Sequence, residues 1–115
     1  MKELILLALD EPPTRQLLSR ALRALDYETG LASDRAGVDK LIMESNPSLI
    51  IISAHLGGEN SIPLIEKLLA QHPTLPIIYL ASNHSPTQTK AALRSGVSAY
   101  LEPPVNTDEI IGAIK

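Results

Sequence analysis

The sequence predicts an α/β domain: a parallel sheet with helices packed on both faces. Short apolar runs recur at Leu4–Leu9, Leu49–Ile52 and Ile77–Leu80. They show little polar alternation, as strands buried on both faces require. Segments with apolar residues at helical spacing separate them. Strand and helix alternate along the chain, which implies parallel strands joined by right-handed crossovers.

The first strand is Leu4–Leu9. A helix follows from near Pro13, since proline suits a first turn, with Leu17, Leu18, Ala21, Leu22 and Leu25 on one face. Glu28–Ala32 is a weaker second strand, and Val38, Leu41, Ile42 and Ser45 line a second helix. The third strand is Leu49–Ile52. Ile62, Ile65, Leu68 and Leu69 line a third helix that stops near His72-Pro73. After the fourth strand, Ile77–Leu80, a fourth helix carries Ala91 and Ala92 and ends at Gly96. Ser98–Leu101 is the fifth strand. Asn106 or Thr107 caps a fifth helix with Ile110, Ile111 and Ile114 inward. That helix reaches Lys115 after about two turns, short for a terminal helix. Residues 1–115 are therefore expected to be one domain excised from a longer protein.

Size and composition bound the function. A chain of 115 residues is one domain, and at this length folding buries roughly two-thirds of the unfolded surface. The absence of cysteine excludes disulfides and thiolate metal sites. A net charge of -3 without a Lys/Arg cluster argues against direct nucleic-acid binding. Leu4–Leu9 is too short to span a bilayer or serve as a signal peptide. A cytoplasmic domain without a membrane contact is the expectation.

Ligands of open α/β sheets sit beyond the carboxyl ends of the strands. Those ends carry Asp10-Glu11, Ser53 to Gly58, Ala81-Ser82-Asn83 and Glu102-Pro103-Pro104. In order along the chain, Ile5 to Pro12 with Arg15, Leu17 and Leu18, then Asn46 to Ser53, then Leu75 to Ser82, then Ala92 to Leu101 with Pro104, resemble the response-regulator receiver domain of two-component signalling. The resemblance runs over essentially the whole length. It implies a flavodoxin-like, doubly wound (βα)5 fold with sheet order 2-1-3-4-5. It also implies a cis peptide bond before Pro104.

The departures from the family pattern are as specific as the match. The acidic pair after the first strand becomes Leu9-Asp10, followed by Glu11. Ser53 stands where the phosphate-accepting aspartate belongs. Ala81 replaces the switch hydroxyl, and Pro103 replaces the lysine before the last proline. A carboxylate is already ionised at neutral pH, whereas a serine hydroxyl needs a base to attack. Mg²⁺ prefers carboxylates and phosphate oxygens, so Asp10 is a weak candidate ligand and no metal or other cofactor is expected. Pro103 offers no ammonium and Ala81 no hydroxyl to hold a phosphoryl group.

Milder readings compete at several positions. Asp10 also reads as a loop carboxylate that caps the first helix or meets its dipole, and Glu11 as solvated. Ser53 with His55 invites a nucleophile and base, but no third group orients His55. Ser53-Ala54-His55-Leu56-Gly57 also echoes the Asp-x-His-x-x-Gly motif of cobalamin-binding domains. Gly57-Gly58 reads as a plain turn rather than a phosphate cradle. His72 and His84, beside prolines, read as loop residues.

In the family an aromatic switch swings between exposed and buried positions as the switch hydroxyl moves, and Tyr100 corresponds to it. With Ala81 at that place, Tyr100 is expected to stay in one position; the milder reading is an ordinary edge-strand aromatic with its hydroxyl in water. The favoured function is a degenerate receiver, or pseudo-receiver: a protein-interaction module that works without aspartyl phosphorylation and is not an enzyme. The family implies contacts through the fourth helix, fifth strand and fifth helix. Candidates there are Gln88, Lys90, Arg94, Tyr100, Glu102 and Asp108, and a homodimer through the same surface is a further expectation. The alternatives are a phosphorylatable receiver that uses Asp10 or Glu11 as acceptor, and a small-ligand domain of the cobalamin type.

Overall fold

The computed structural model describes residues 3–81, 86–101 and 107–114. In chain order the elements are β1 (Leu4–Ala8), α1 (Pro12–Ala24), β2 (Glu28–Ala32), α2 (Arg35–Ser45), β3 (Leu49–Ser53), β4 (His55–Leu56), β5 (Glu59–Asn60), α3 (Ile62–Gln71), β6 (Ile77–Leu80), α4 (Pro86–Ser95), β7 (Ala99–Leu101) and α5 (Thr107–Ile114). The main sheet is parallel and five-stranded, in the order β2-β1-β3-β6-β7. Without the short β4–β5 hairpin this is the expected 2-1-3-4-5. The fold is α/β and flavodoxin-like.

Two apolar layers flank the sheet. Alternate residues of the central strands enter each one, because side chains alternate across a strand. Leu6, Ala8, Ile50, Ile52, Ile77 and Tyr79 pack with Val38 of α2, Leu64, Ile65 and Leu68 of α3 and Ala92 of α4. Ile5, Leu7, Leu49, Ile51, Ile78 and Leu80 pack with Leu18 and Leu22 of α1 and Ile110 of α5. Burial on both faces explains why β1, β3 and β6 are unbroken apolar runs.

Local chemistry sets the helix ends. Asp34 accepts the Gly37 N–H at 2.8 Å and caps α2. Asn46, left-handed at φ 49°, closes that helix ahead of Pro47. At α1 the helix starts on Pro12 and Pro13, and Glu11 makes no side-chain cap. Two prolines remove two of the donors that a cap would satisfy. At α3 the Ile62 N–H is held by Asn60 Oδ1 at 2.8 Å.

The expected helix faces need correction. Leu17 is 53 % exposed and Leu25, just past the helix end, is also exposed. The buried face of α1 instead runs through Leu18, Ser19 and Leu22, where Ser19 Oγ meets Thr29 Oγ1 of β2 at 3.0 Å. Ser45 is exposed, and Leu64, absent from the expected α3 face, is buried. The first strand stops at Ala8, the third continues to Ser53, and the fifth starts at Ala99. Asn106 lies outside the described residues.

Gly57-Gly58 do form a turn, and that turn closes the β4–β5 hairpin, an element absent from the sequence-based expectation. Both glycines have positive φ, 60° and 80°, the requirement of a tight two-residue hairpin turn. A Cβ on Gly57 would also lie 3.1 Å from Asp34 Cβ.

Candidate functional site

The carboxyl rim of the sheet gathers the loops after β1, β3 and β6. Ser53 ends β3 opposite Leu80 of β6, one residue past Ile52, which pairs with Ala8 of β1. Its hydroxyl donates to the His55 carbonyl at 2.6 Å, with the Ala8 carbonyl farther off at 3.5 Å. The same oxygen accepts the Asp10 N–H at 3.3 Å. The Ser53 carbonyl accepts the hydroxyl of buried Ser61, and Ala54 O accepts the Ser61 N–H at 3.0 Å. Serine at this position is thus bonded into the loop backbone. His55 contacts it through its carbonyl, not its imidazole, and the His55 residue is exposed. No base activates the hydroxyl among the described residues.

Asp10 does not cap α1. Its carboxylate reaches across the rim and accepts the Gly57 N–H of the hairpin at 3.3 Å. The physical reason is the Pro12-Pro13 start: the helix presents few N–H groups to a cap, and the glycine turn presents one. Glu11 is exposed and accepts the Thr14 hydroxyl at 3.4 Å. Leu9 is buried among the apolar residues of the α1–α5 layer, so the first position of the family's acidic pair points into the core. Its carbonyl accepts Arg15 Nη1 at 3.3 Å.

These donors fit a divalent cation poorly. Asp10 is the carboxylate that bridges the rim, and it already accepts an amide. Ser53 supplies a neutral oxygen whose proton goes to a carbonyl, and Leu9 supplies nothing. Among the described residues no three His, Cys, Asp or Glu side chains group as a metal site.

Ala81 is buried and its N–H donates to Leu101 O at 2.8 Å. Tyr100 of β7 lies opposite Tyr79 of β6 and is 41 % exposed. Ser82, Asn83, His84, Glu102, Pro103 and Pro104, with the cis bond expected before Pro104, lie outside the described residues. Of the candidate contact residues, Lys90, Arg94 and Asp108 are exposed. Gln88 is half-buried: its Nε2 donates to Ala54 O at 2.7 Å and to Asn60 Oδ1 at 3.1 Å.

Sequence reasoning missed Asn60, Ser61 and the inward bonding of Gln88. Asn60-Ser61 ahead of Ile62-Pro63 is a helix-start pattern, so the cap was available as a signal. The Gln88 contact joins residues 34 positions apart and has no local signal. A cleft of about 240 Å³ lies beside the hairpin, with Arg35, Leu56, Pro63 and Leu64 in its wall; Ser53 does not line it.

Residues 5–115 match the family model of the response regulator receiver domain. The DNA-binding transcriptional regulator NtrC of Rhizobium meliloti is 26 % identical over 110 residues, which is 96 % of this chain and 23 % of that protein. The DNA-binding response regulator MtrA of Mycolicibacterium smegmatis is 24 % identical over 115 residues, 100 % of this chain and 50 % of that one. The chain therefore spans half or less of the length of these curated relatives. Among solved structures, a CheY-like response regulator receiver domain protein from Methanospirillum hungatei superposes with a TM-score of 0.91 at 21 % identity, covering 99 % of this chain and 91 % of that chain. The receiver domain of the Francisella response regulator 1452 superposes at 0.87 with 26 % identity, covering 98 % and 93 %. This chain belongs to the response regulator receiver domain family.

Proposed function

We propose that this receiver domain works as a pseudo-receiver, a regulatory protein-interaction module of two-component signalling that acts without aspartyl phosphorylation. One observation carries the reading. The residue at the end of β3 is Ser53, and its hydroxyl is spent on the His55 carbonyl and the Asp10 amide. A phosphoryl acceptor there needs an ionised oxygen, and this oxygen is neutral and bonded at both ends. Asp10 is held by Gly57, and Leu9 is turned inward. The sequence adds Ala81 and Pro103 where a hydroxyl and an ammonium would steady phosphate.

In this reading the domain has no catalytic activity of its own and needs no cofactor. It resides in the cytoplasm and binds protein partners, or a second copy of itself, through α4, β7 and α5. Exposed Lys90, Arg94, Tyr100 and Asp108, together with half-exposed Leu93, support that surface. Mixed charge around apolar side chains suits a protein partner.

One observation favours a second reading, a phosphorylatable receiver with Asp10 as acceptor: Asp10 is the carboxylate on the rim beside Ser53. Beryllofluoride with Mg²⁺ separates the two, because it mimics an aspartyl phosphate only where a carboxylate and a cation converge. The pseudo-receiver gives an unchanged amide NMR spectrum. Saturable shifts centred on residues 8–11 and 53–57 support the acceptor at Asp10 instead.

A further inference from the structure

We infer that Gln88 is the positioning residue that fastens α4 to the rim of the sheet, and that it carries to α4 the state of the loop after β3. The inference rests on the pseudo-receiver reading only in taking α4 as part of the contact surface.

The geometry is specific. The Gln88 amide nitrogen has two protons and two acceptors, Ala54 O at 2.7 Å and Asn60 Oδ1 at 3.1 Å. Each acceptor is also bonded within the loop. Ala54 O takes the Ser61 N–H at 3.0 Å, and Asn60 Oδ1 takes the Ile62 N–H at 2.8 Å. Ser61 in turn bonds the Ser53 carbonyl. A path of hydrogen bonds thus runs from Ser53 through Ser61 and Ala54 to Gln88 in the first half of α4, and Asn60 joins it at Gln88.

Among the described residues, the packing beneath α4 is otherwise apolar. Ala81 and Ala92 are buried there with Tyr79. Ala81 supplies no side-chain hydrogen bond, so the described polar contact between this helix and the loop after β3 passes through the Gln88 amide. Movement of residues 53–61 shifts both acceptors together, and the helix follows or the two bonds break. Two-point attachment of this kind fixes direction as well as distance, which apolar contacts alone do not.

The test is hydrogen exchange of the 115-residue chain, read by NMR with no partner and no phosphodonor present. In Gln88→Glu a carboxylate faces two oxygen acceptors and the donor is gone. Amides of residues 90–95 are expected to exchange roughly fivefold to tenfold faster, the loss of two ordinary hydrogen bonds. In Gln88→Lys an ammonium reaches the same two oxygens, and exchange stays within about twofold of the native rate. Ser61→Ala is expected to speed exchange in α4 when Gln88 is present and to add nothing in the Gln88→Glu chain. Equal exchange in all five chains, the native one included, overturns the inference. So does a Gln88→Lys chain as fast as Gln88→Glu, which assigns the effect to packing, or strict additivity of Ser61→Ala, which denies the path. None of these outcomes depends on phosphorylation, so the inference and the pseudo-receiver reading fail separately.

Discussion

Tyr79 and Tyr100 face each other across β6 and β7 and share one side of the sheet, yet Tyr79 is 0 % exposed and Tyr100 41 %. Paired residues of parallel strands project to the same face, so both rings stand on the α4 side. Tyr79 occupies the interior there, in the cluster that holds Ala81 and Ala92. The space vacated by a switch hydroxyl at Ala81 is thus next to a large ring that is already inside.

Tyr100 is expected to keep one position. Inward rotation would bring a second ring against Tyr79 in a packed interior, and overpacking of that kind costs about 1–3 kcal/mol. Tyrosine labelled with fluorine should give a single Tyr100 resonance, identified by its loss in Tyr100→Phe. Two well-populated signals for this residue refute the expectation.

Tyr79→Phe should leave stability unchanged or raise it by up to about 1 kcal/mol, because it removes a buried hydroxyl that is left unsatisfied. Burial raises the Tyr79 pKa above 10.0, and the Gln88 side chain opposes the rise without reaching hydrogen-bond geometry to the hydroxyl. A raised folded-state value means that the folded chain favours the neutral phenol. Its contribution is therefore complete below pH 10 and lost as pH rises above 10 through the folded value. Urea unfolding from pH 9 to 11 checks both points (the pH range follows from the ordinary tyrosine value near 10). The native chain should lose stability faster than Tyr79→Phe across that interval. A loss of more than about 1 kcal/mol in the variant at pH 7 would show a bonded hydroxyl.

Ser53→Ala should cost about 1–2 kcal/mol, since it leaves the His55 carbonyl and the Asp10 amide without their bonds at a partly buried position. The amide shifts should concentrate on residues 10 and 54–57. An unaltered unfolding midpoint would mean that Ser53 is not part of the rim's hydrogen bonding.

Gly57→Ala should be destabilising by about 1–2 kcal/mol. Gly57 combines φ +60° with a close approach to Asp34, and its amide orients Asp10. Gly58→Ala, where φ is +80° but nothing lies within 4 Å, should cost less. The reverse ranking in thermal unfolding would place the strain in the wrong glycine.

Much of the fold was legible because the physics that makes it is local. Unbroken runs such as Leu49–Ile52 mark strands covered on two faces, and His72-Pro73 or Gly96 mark where helices stop. The face of α1 was less legible: Leu17 and Leu18 are equally apolar, and only the position of β2 decides which is inside. The hairpin hid in residues 55–60 because two-residue strands carry no periodicity. At the site, the identity of Ser53 was plain from the sequence, but its partners were not. The bond from Asp10 to Gly57 spans 47 positions and that from Gln88 to Ala54 spans 34, and no spacing rule reaches so far.

The central claim is that this rim does not take up a phosphoryl group. The most direct measurement is the intact mass of the chain after incubation with acetyl phosphate and Mg²⁺, beside a receiver domain that carries the usual acceptor aspartate. The account predicts the unmodified mass for this chain while the control gains one phosphoryl group. A gain of that mass here, lost on treatment with hydroxylamine as an acyl phosphate is and mapped to Asp10 or Glu11, would contradict it.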